Sequence, residues 1–249
     1  MRYHDYQVDY HIHSTFSDGK DTPEEIILKA IDKGMTEIGF SDHSYTFFDE
    51  SYCINKDDIK NYQDTIRALS LKYKDKIKVL CGIEQDFYSA EPTDNYDYII
   101  GSVHYVKIND EYVPVDENPE TLIAAAEKYF GGDLLSLAEE YFKTIAEVVE
   151  KSNCDIIGHF DLITKFNECN KLFDETSPRY RKAATDAVMK LLKYNRPFEI
   201  NTGAISRGYR TTPYPSKEIL DLILKNGGKV VFSSDSHSKD TIGYYFENL

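Results

Sequence analysis

The sequence contains no tryptophan and only four cysteines in 249 residues. The cysteines are Cys53, Cys81, Cys154 and Cys169. They share no CxxC spacing, and four cysteines in a chain of this length do not form a disulfide scaffold. We therefore expect reduced, structural thiols, which excludes the small disulfide-rich proteins.

Positive charge is also scarce. Lys and Arg number 29 against 43 Asp and Glu, and the formal net charge is -14 at pH 7. A nucleic-acid-binding surface needs a basic patch that displaces counterions, so this balance argues against a nucleic-acid partner. The same deficit disfavours a phosphate substrate, unless several bound divalent cations reverse the sign of the local field.

Long hydrophobic runs are absent as well. No stretch approaches the roughly 18 consecutive apolar residues that a membrane helix needs, and residues 1–5 open no apolar signal region. We therefore expect a cytoplasmic protein without a membrane partner. The chain has 41% hydrophobic residues, no Ser/Gly-rich linker and no internal repeat, which predicts a single domain over residues 1–249.

The apolar pattern alternates between short β-type runs and longer helical segments. Thr22 as N-cap, Pro23 and Glu25 predict a helix start, and Gly34 predicts its stop. Further helices are predicted over 56–73, 119–130, 134–151, 179–194 and 217–226. Seven strands are predicted over 6–13, 37–41, 76–84, 97–103, 154–158, 198–201 and 229–233, with a hairpin or excursion at 106–115.

Every predicted strand delivers polar residues at its carboxyl end. These residues are His11, His13, Asp42, His43, Glu84, His104, His159, Asn201, Asp235 and His237. Most of the strands are separated by helices, which predicts parallel βα units, and in a βα-barrel the carboxyl ends converge on one face. An open doubly wound sheet would spread the same residues along a crevice. We therefore predict an α/β fold with a closed or distorted barrel of seven strands.

Six of the seven histidines lie in five short clusters, at residues 9–14, 41–43, 102–104, 158–161 and 234–237. The clusters contain no cysteine, and imidazole with carboxylate is a ligand set for catalytic borderline cations. His11 and His13 are two residues apart, so on a strand they point to one side and can chelate one ion. Taken alone, one such pair is as consistent with hydrogen-bonded or exposed histidines as with metal ligands. Six histidines together with Asp18, Glu84 and Asp235 predict a metal site.

Nine candidate ligands suffice for three ions. Catalytic metals keep an open coordination position and take about three protein ligands each, especially where one carboxylate bridges two ions. Glu84 is the natural bridge, because it is the acid that ends a predicted strand between the first and last ligand groups.

This series of clusters resembles the motif set of the PHP (polymerase and histidinol phosphatase) superfamily. The matching motifs span residues 9–237: DYHIHS at 9–14, SDH at 41–43, GIE at 82–84, SVH at 102–104, GH at 158–159 and SDSH at 234–237. The chain length, the turn at 17–19 and the segments 158–161 and 199–202 are similar to the monofunctional histidinol-phosphate phosphatases of that superfamily. The resemblance implies a distorted, TIM-like (β/α)7 barrel.

The resemblance also implies a centre of three divalent ions, which we expect to be Zn, Mn or Fe. His11, His13, Glu84 and Asp235 would hold the first ion, Glu84, His104 and His159 the second, and Asp18, His43 and His237 the third. Many relatives have histidine at position 18, and aspartate there is what the histidinol-phosphatase branch predicts.

Such a centre predicts hydrolysis of a phosphomonoester by metal-activated hydroxide, since coordination lowers the pKa of water from about 16 towards 7. The resemblance implies L-histidinol phosphate as substrate, in histidine biosynthesis. Asp18 or His237, near the third ion, is a candidate for proton delivery to the leaving oxygen. The expected catalytic residues are Asp18, His43, Glu84, Asp235 and His237.

Four further polar residues are candidates for substrate contact or support. Arg207 is the candidate phosphate clamp, because arginine makes bidentate contacts to phosphate, and its alternative is a solvated loop arginine. Lys165 is a second candidate, with a surface lysine as its alternative. Asn201 either binds substrate or fixes its loop. Asp161 either recognises a substrate amine or orients His159, and we favour the second role.

Two other functions fit the same sequence. The metals could act on another small phosphomonoester, such as a sugar or nucleotide phosphate, because pocket residues outside the motifs decide the choice. A non-catalytic PHP-like domain could bind metal or phosphate as a structural or regulatory module. Such a domain would be expected to lose ligands, whereas all nine positions are filled here. The sequence does not indicate an oligomeric state.

Overall fold

Seven parallel strands lie side by side in chain order and curve into a barrel. The computed structural model describes residues 5–249. Residues 1–4 lie outside the described residues, and they are most of the segment that we expect to contain no signal region. An antiparallel hairpin of β5 (Tyr105–Ile108) and β6 (Glu111–Pro114) stands apart from the main sheet. The strands of the main sheet are β1 (Val8–Asp9), β2 (Glu37–Phe40), β3 (Lys78–Asp86), β4 (Tyr98–Ser102), β7 (Ile156–Ile157), β8 (Phe198–Asn201) and β9 (Val230–Ser233).

The chain segments that follow the first and last strands meet and close the barrel. The backbone N–H of His13 donates to the carbonyl of Ser236 at 2.8 Å, and the N–H of Ser236 donates to the carbonyl of His11 at 3.0 Å. These bonds complete the ring of seven strands, which confirms the predicted α/β fold with a distorted seven-stranded barrel. They also hold the first and last histidine clusters against each other.

Helices follow the strands, as expected for βα units. The capping box at Thr22 forms as predicted: Glu25 N donates to Thr22 Oγ1, and Thr22 N donates to Glu25 Oε2. Gly34 takes the left-handed conformation that ends the helix, with φ of 74°. The helices are α1 (Pro23–Asp32), α2 (Ile59–Tyr73), α3 (Pro119–Phe130), α4 (Leu134–Ile145), α5 (Val148–Ser152), α6 (Pro178–Leu191), α7 (Gly203–Ser206) and α8 (Lys217–Lys225). Within residues 5–249, none of these helices combines the length and apolar character needed to cross a membrane.

The helix predicted over 134–151 is two helices, α4 and α5. The backbone N–H of Glu147 donates to Thr144 O at 3.0 Å, a three-residue step that tightens the turn and interrupts the α-helical pattern. The structure also contains α7 and a 3-10 turn at Leu162–Thr164, in the loops after β8 and β7. These short elements were missed, because a single turn gives no periodic signal.

Of the seven strands, β8 has its predicted bounds and the other six differ by one residue or more, and the differences in β1 and β3 affect the site. Beyond Asp9 the first strand pairs through isolated contacts, such as Ser41 N to Ile12 O at 2.9 Å, so β1 is shorter than predicted. β3 has the predicted length but lies two residues further along the chain and runs to Asp86, which places Glu84 inside the strand rather than at its end.

The cysteines are free thiols. Cys53, Cys81 and Cys154 are buried, which agrees with a structural role, whereas Cys169 is exposed and does not pack in the core.

Tyr98 at the start of β4 fills part of the barrel interior. Its hydroxyl donates to the carbonyls of Tyr10 and Phe40, at 2.5 and 3.1 Å. Its ring lies against Gly39 and Gly82 of the two preceding strands in the barrel, and a Cβ at Gly82 would lie 2.3 Å from the ring. The ring therefore requires glycine at both positions.

Gly82→Ala is expected to destabilise the protein by about 1–3 kcal/mol, because the added methyl group overlaps the Tyr98 ring. Urea unfolding measures the effect. In a Tyr98→Leu background the same substitution should cost less than in the wild type, since the two residues are in contact. A cost below about 0.5 kcal/mol in the wild type, as at an ordinary surface site, would contradict this packing.

Candidate metal centre

All nine predicted ligands converge at the carboxyl-terminal face of the barrel, where parallel βα units deliver their strand ends. A cavity of about 400 Å³ opens there, and all of them line it except His11 and His13, which are fully buried. Glu84 lies on β3; His11, His13 and Asp18 follow β1, His43 follows β2, His104 follows β4, His159 follows β7, and Asp235 and His237 follow β9.

The Glu84 carboxylate is the centre of the cluster. Glu84 is 1% exposed, and five imidazoles surround its two oxygens. Oε1 lies 2.9 Å from His159 Nε2 and 3.4 Å from His104 Nε2, while Oε2 lies 2.8 Å from His43 Nδ1, 3.3 Å from His11 Nε2 and 3.6 Å from His13 Nε2. Because its two oxygens face different histidines, the carboxylate has the geometry of a bridge between two cation positions.

Two further carboxylates complete the cluster on either side. Asp235 Oδ1 lies 3.5 Å from His13 Nε2 and 3.9 Å from His11 Nε2. Asp18 lies at the mouth of the cavity, with its Oδ2 3.1 Å from His237 Nε2. Its Oδ1 lies 3.7 Å from the Nε2 of His43.

Three groups of these side chains have ligand atoms within 4.8 Å of one another, the spacing at which they could share an ion. The groups are His13, Asp18, His43 and His237; His11, His13 and Glu84; and His43, Glu84 and His104. They overlap the three predicted ligand sets without coinciding. His13 lies within reach of the third ion's set, and His43 lies within reach of the second.

Several buried polar atoms at the centre make no hydrogen bond of acceptable geometry among the described residues, although His43 Nδ1 and Glu84 Oε2 lie only 2.8 Å apart. They are His11 Nε2, both ring nitrogens of His13, His43 Nδ1, His159 Nδ1 and Glu84 Oε2. Leaving buried polar groups unpaired is costly, and cation ligation satisfies such atoms. The donor set, imidazole nitrogen and carboxylate oxygen without thiolate, suits divalent first-row metals. The site therefore fits divalent metal ions.

Charge and burial shift the protonation of the cluster in both directions. Burial raises the pKa of Glu84, but His11 and His43 oppose burial and hold that pKa well below the usual carboxyl value. Burial, with repulsion from His237 and His43, lowers the pKa of His13 to about 3. At neutral pH the carboxylate is therefore ionised and His13 is neutral, and these are the protonation states that bind metals. At His11, His43 and His104 burial lowers the pKa, but neighbouring carboxylates outweigh burial and raise it above the usual imidazole value, so a cation bound there would displace a proton.

Two carboxylates that the sequence analysis missed orient the ligating rings. Glu199 Oε1 lies 2.6 Å from His11 Nδ1, and its Oε2 accepts the backbone N–H of His159 at 2.8 Å. Asp86 Oδ2 lies 3.3 Å from His104 Nδ1. A carboxylate at Nδ1 fixes the tautomer that leaves Nε2 free for a metal. Asp86 could have been found from the two-residue period of a strand, because it is two residues from Glu84 on β3 and so points to the same side of the strand.

The Asn201 side chain bonds to neighbouring protein groups, and Asp161 makes no bond to the His159 ring among the described residues. The Asn201 side chain is fully buried, donates to Glu199 Oε2 and Asp235 Oδ2, and accepts from Gly203 N, so its contacts match the loop-fixing alternative. The expectation that Asp161 orients His159 is corrected. Asp161 Oδ2 accepts the Ser216 backbone N–H at 2.8 Å, because the side chain turns towards the start of α8.

Arg207 and Lys165 both line the cavity. Arg207 Nη2 lies 3.1 Å from Asp235 Oδ2, and its Nη1 donates to the Asp235 carbonyl at 2.9 Å. Lys165 is 9% exposed, and its Nζ donates to the Asp116 carbonyl at 2.7 Å. The surface alternative for Lys165 is therefore excluded, and two cationic side chains face the same cavity as the metal cluster.

A parallel barrel with buried histidines and carboxylates at its carboxyl face has the architecture of a metal-dependent enzyme. A sequence model of the PHP domain matches residues 9–203. The chain belongs to this PHP family, which confirms the resemblance read from its motifs.

Three known proteins show how far the similarity extends. A Schizosaccharomyces pombe protein named "Probable histidinol-phosphatase" is 28% identical over 244 residues, covering 88% of this chain and 76% of its own. A crystal structure of a Listeria monocytogenes protein has a TM-score of 0.83 at 20% identity, covering 97% of this chain and 99% of its own. The histidinol phosphate phosphatase of Lactococcus lactis, crystallised with zinc, L-histidinol and phosphate, has a TM-score of 0.72 at 24% identity, covering 97% and 90%. The two structures share the fold of this chain along nearly all of its length.

Glu199→Gln should weaken divalent-ion binding about 10–100-fold. A glutamine amide that donates to His11 Nδ1 would select the other tautomer and place an N–H where the metal binds. Competition with a chromophoric chelator, on metal-free protein reloaded with Zn²⁺ or Mn²⁺, measures the affinity. Glu127→Gln, on the exposed face of α3, is the matched control. An affinity within twofold of wild type in Glu199→Gln would rule out this orienting role.

Proposed function

We propose that this chain hydrolyses L-histidinol phosphate to L-histidinol and inorganic phosphate. The observation that carries the proposal is a single cavity that joins the histidine and carboxylate centre to two cationic side chains, Arg207 and Lys165. PHP family membership and similarity to proteins named histidinol phosphatases, one of them crystallised with L-histidinol and phosphate, favour this substrate.

The proposal includes three divalent ions, Zn, Mn or Fe. We assign His11, His13, Glu84 and Asp235 to the first, Glu84, His104 and His159 to the second, and Asp18, His43 and His237 to the third. When bound, divalent ions at such a centre lower the pKa of water from about 16 towards 7 and neutralise charge on phosphate oxygens. Their charge also makes a phosphate substrate compatible with a chain of net charge -14. The proposed catalytic residues are Asp18, His43, Glu84, Asp235 and His237.

The two cationic side chains are the proposed phosphate contacts. A guanidinium carries five N–H donors, so Arg207 can hold Asp235 and still offer donors to an anion in the cavity. The Lys165 ammonium has three donors, of which Asp116 takes one through its carbonyl oxygen at 2.7 Å. Arg207 therefore couples the phosphate to a proposed metal ligand, and Lys165 adds charge from the neighbouring loop.

The acidic residues of the cavity fit the amino group of the substrate. Asp49, Asp116 and Glu117 line the same cavity as Arg207. A substrate that carries both a phosphate and an ammonium group can therefore find opposite charges within one pocket. This layout favours an amino-alcohol phosphate over sugar or nucleotide phosphates, which lack an aliphatic amine.

The proposed setting is the cytoplasm, with a small phosphorylated substrate and no nucleic-acid or membrane partner. Cys169 is an exposed free thiol, and such thiols persist in reducing compartments. The negative net charge is unfavourable for contact with nucleic acid.

Phosphate release over a panel of phosphomonoesters tests the function. The metal-loaded protein should hydrolyse L-histidinol phosphate with a kcat/KM about 10²-fold or more above that for a hexose phosphate or a nucleoside monophosphate, because a site built for a polar group discriminates against analogues without it. A chelator should abolish the activity, and added Zn²⁺ or Mn²⁺ should restore it. Equal rates across the panel would disprove the substrate assignment. Metal-loaded protein that hydrolyses none of the compounds would favour a non-catalytic module.

A further inference from the structure

One buried arginine joins the loop after β7 to the loop after β8. Arg210 is 6% exposed and does not line the metal cavity. Its Nη1 donates to the carbonyl of Thr164 at 3.0 Å and to the hydroxyl of the same residue, and its Nη2 donates to Thr212 Oγ1 at 3.3 Å. Its guanidinium also lies 5.0 Å from the centre of the Tyr214 ring. These contacts place Arg210 between the two loops, behind the cavity.

The residues next to these contacts are the two proposed phosphate contacts. Lys165 directly follows Thr164, and Arg207 precedes Arg210 by three residues. The Tyr209 ring centre lies 4.8 Å from Lys165 Nζ, and the Tyr209 backbone N–H donates to Ala204 O at 2.9 Å. We therefore expect the contact between the loops to affect the distance between Lys165 and Arg207.

Two other contacts hold the same loops together without Arg210. The backbone N–H and the hydroxyl of Thr211 both donate to Glu168 Oε1 at 2.6 Å. Further along, Ser216 N donates to Asp161 Oδ2 at 2.8 Å. Because these bonds persist when Arg210 is replaced, we expect its loss to change the spacing of the loops rather than to separate them.

We propose that Arg210 is a positioning residue for the phosphate group: it holds the two loops so that Lys165 and Arg207 can contact one anion together. The inference rests on the proposed function, in which those two side chains bind phosphate. A planar guanidinium fork reaches acceptors on two different residues, Thr164 and Thr212, in a fixed geometry, which a lysine ammonium does not reproduce.

Substitution of Arg210 in the metal-loaded full chain tests the inference. In Arg210→Met, the inhibition constant of inorganic phosphate and the KM for L-histidinol phosphate should each rise roughly tenfold or more, since small displacements of binding groups have large effects. The metal content per chain should stay at the wild-type value, and kcat should fall by a smaller factor. Arg210→Lys should recover only part of the loss. Arg179→Met is the matched control, because Arg179 donates four side-chain hydrogen bonds on the surface around α6 and should change none of these values.

A double-mutant cycle separates positioning from general stability. Lys165→Met alone should weaken phosphate inhibition, but it should have a smaller effect in the Arg210→Met background, because Lys165 is already displaced there. Independent roles would give additive effects. A phosphate inhibition constant within twofold of wild type in Arg210→Met, or an additive cycle, would overturn the inference.

Two further measurements test the inference if Arg210→Met does not fold or if the wild type does not hydrolyse the substrate. If Arg210→Met does not fold, Thr164→Val removes one acceptor hydroxyl and keeps the carbonyl. It should raise the phosphate inhibition constant roughly two- to fivefold, and an unchanged constant would overturn the inference. If the wild type does not hydrolyse L-histidinol phosphate, the proposed function fails by itself. Calorimetric titration of inorganic phosphate into metal-loaded protein then compares wild type with Arg210→Met, and equal affinity would overturn the positioning role.

Discussion

The Glu84 carboxylate, surrounded by five imidazoles, is the interaction on which the rest of the structure depends. A carboxylate that is 1% exposed loses its hydration, and desolvation of an unpaired ion in a protein interior costs several kcal/mol. Polar and cationic neighbours offset this cost, and the histidines around Glu84 come from four different strand ends. A ring of parallel strands brings them together, so the backbone contact of His13 with Ser236 that closes the barrel is part of the site.

Around this centre the charges alternate in sign. Glu199 and Asp86 lie behind the imidazoles of His11 and His104, on the side away from Glu84. On the cavity side, Arg207 pairs with Asp235. His11, His104 and Asp235 are therefore each held by a second group of opposite charge or complementary hydrogen bonding, the arrangement that orients ligands before a cation or substrate arrives. The loops that carry Arg207 and Lys165 extend the same pattern outward, with Arg210 fixing their separation.

The positions of the nine candidate ligands could be predicted because parallel strands deliver their carboxyl ends to one face, whatever their separation in sequence. The side chains that contact those ligands could not be predicted. Glu199 meets His11 across 188 positions, and no local pattern marks which acid faces which ring. Asn201 shows the same limit, because a strand-end position does not determine whether a side chain faces the cavity or its neighbours. The break between α4 and α5 depends on one three-residue hydrogen bond, which leaves no trace in the apolar periodicity.

Metal stoichiometry tests the proposal that Glu84 is shared by two of three metal ions. Wild type and Glu84→Gln would be loaded with excess Zn²⁺ or Mn²⁺, desalted and measured by elemental analysis. We expect about three ions per wild-type chain and about one in Glu84→Gln, since the group of His13, Asp18, His43 and His237 does not use Glu84. Three ions retained by Glu84→Gln would contradict the claim.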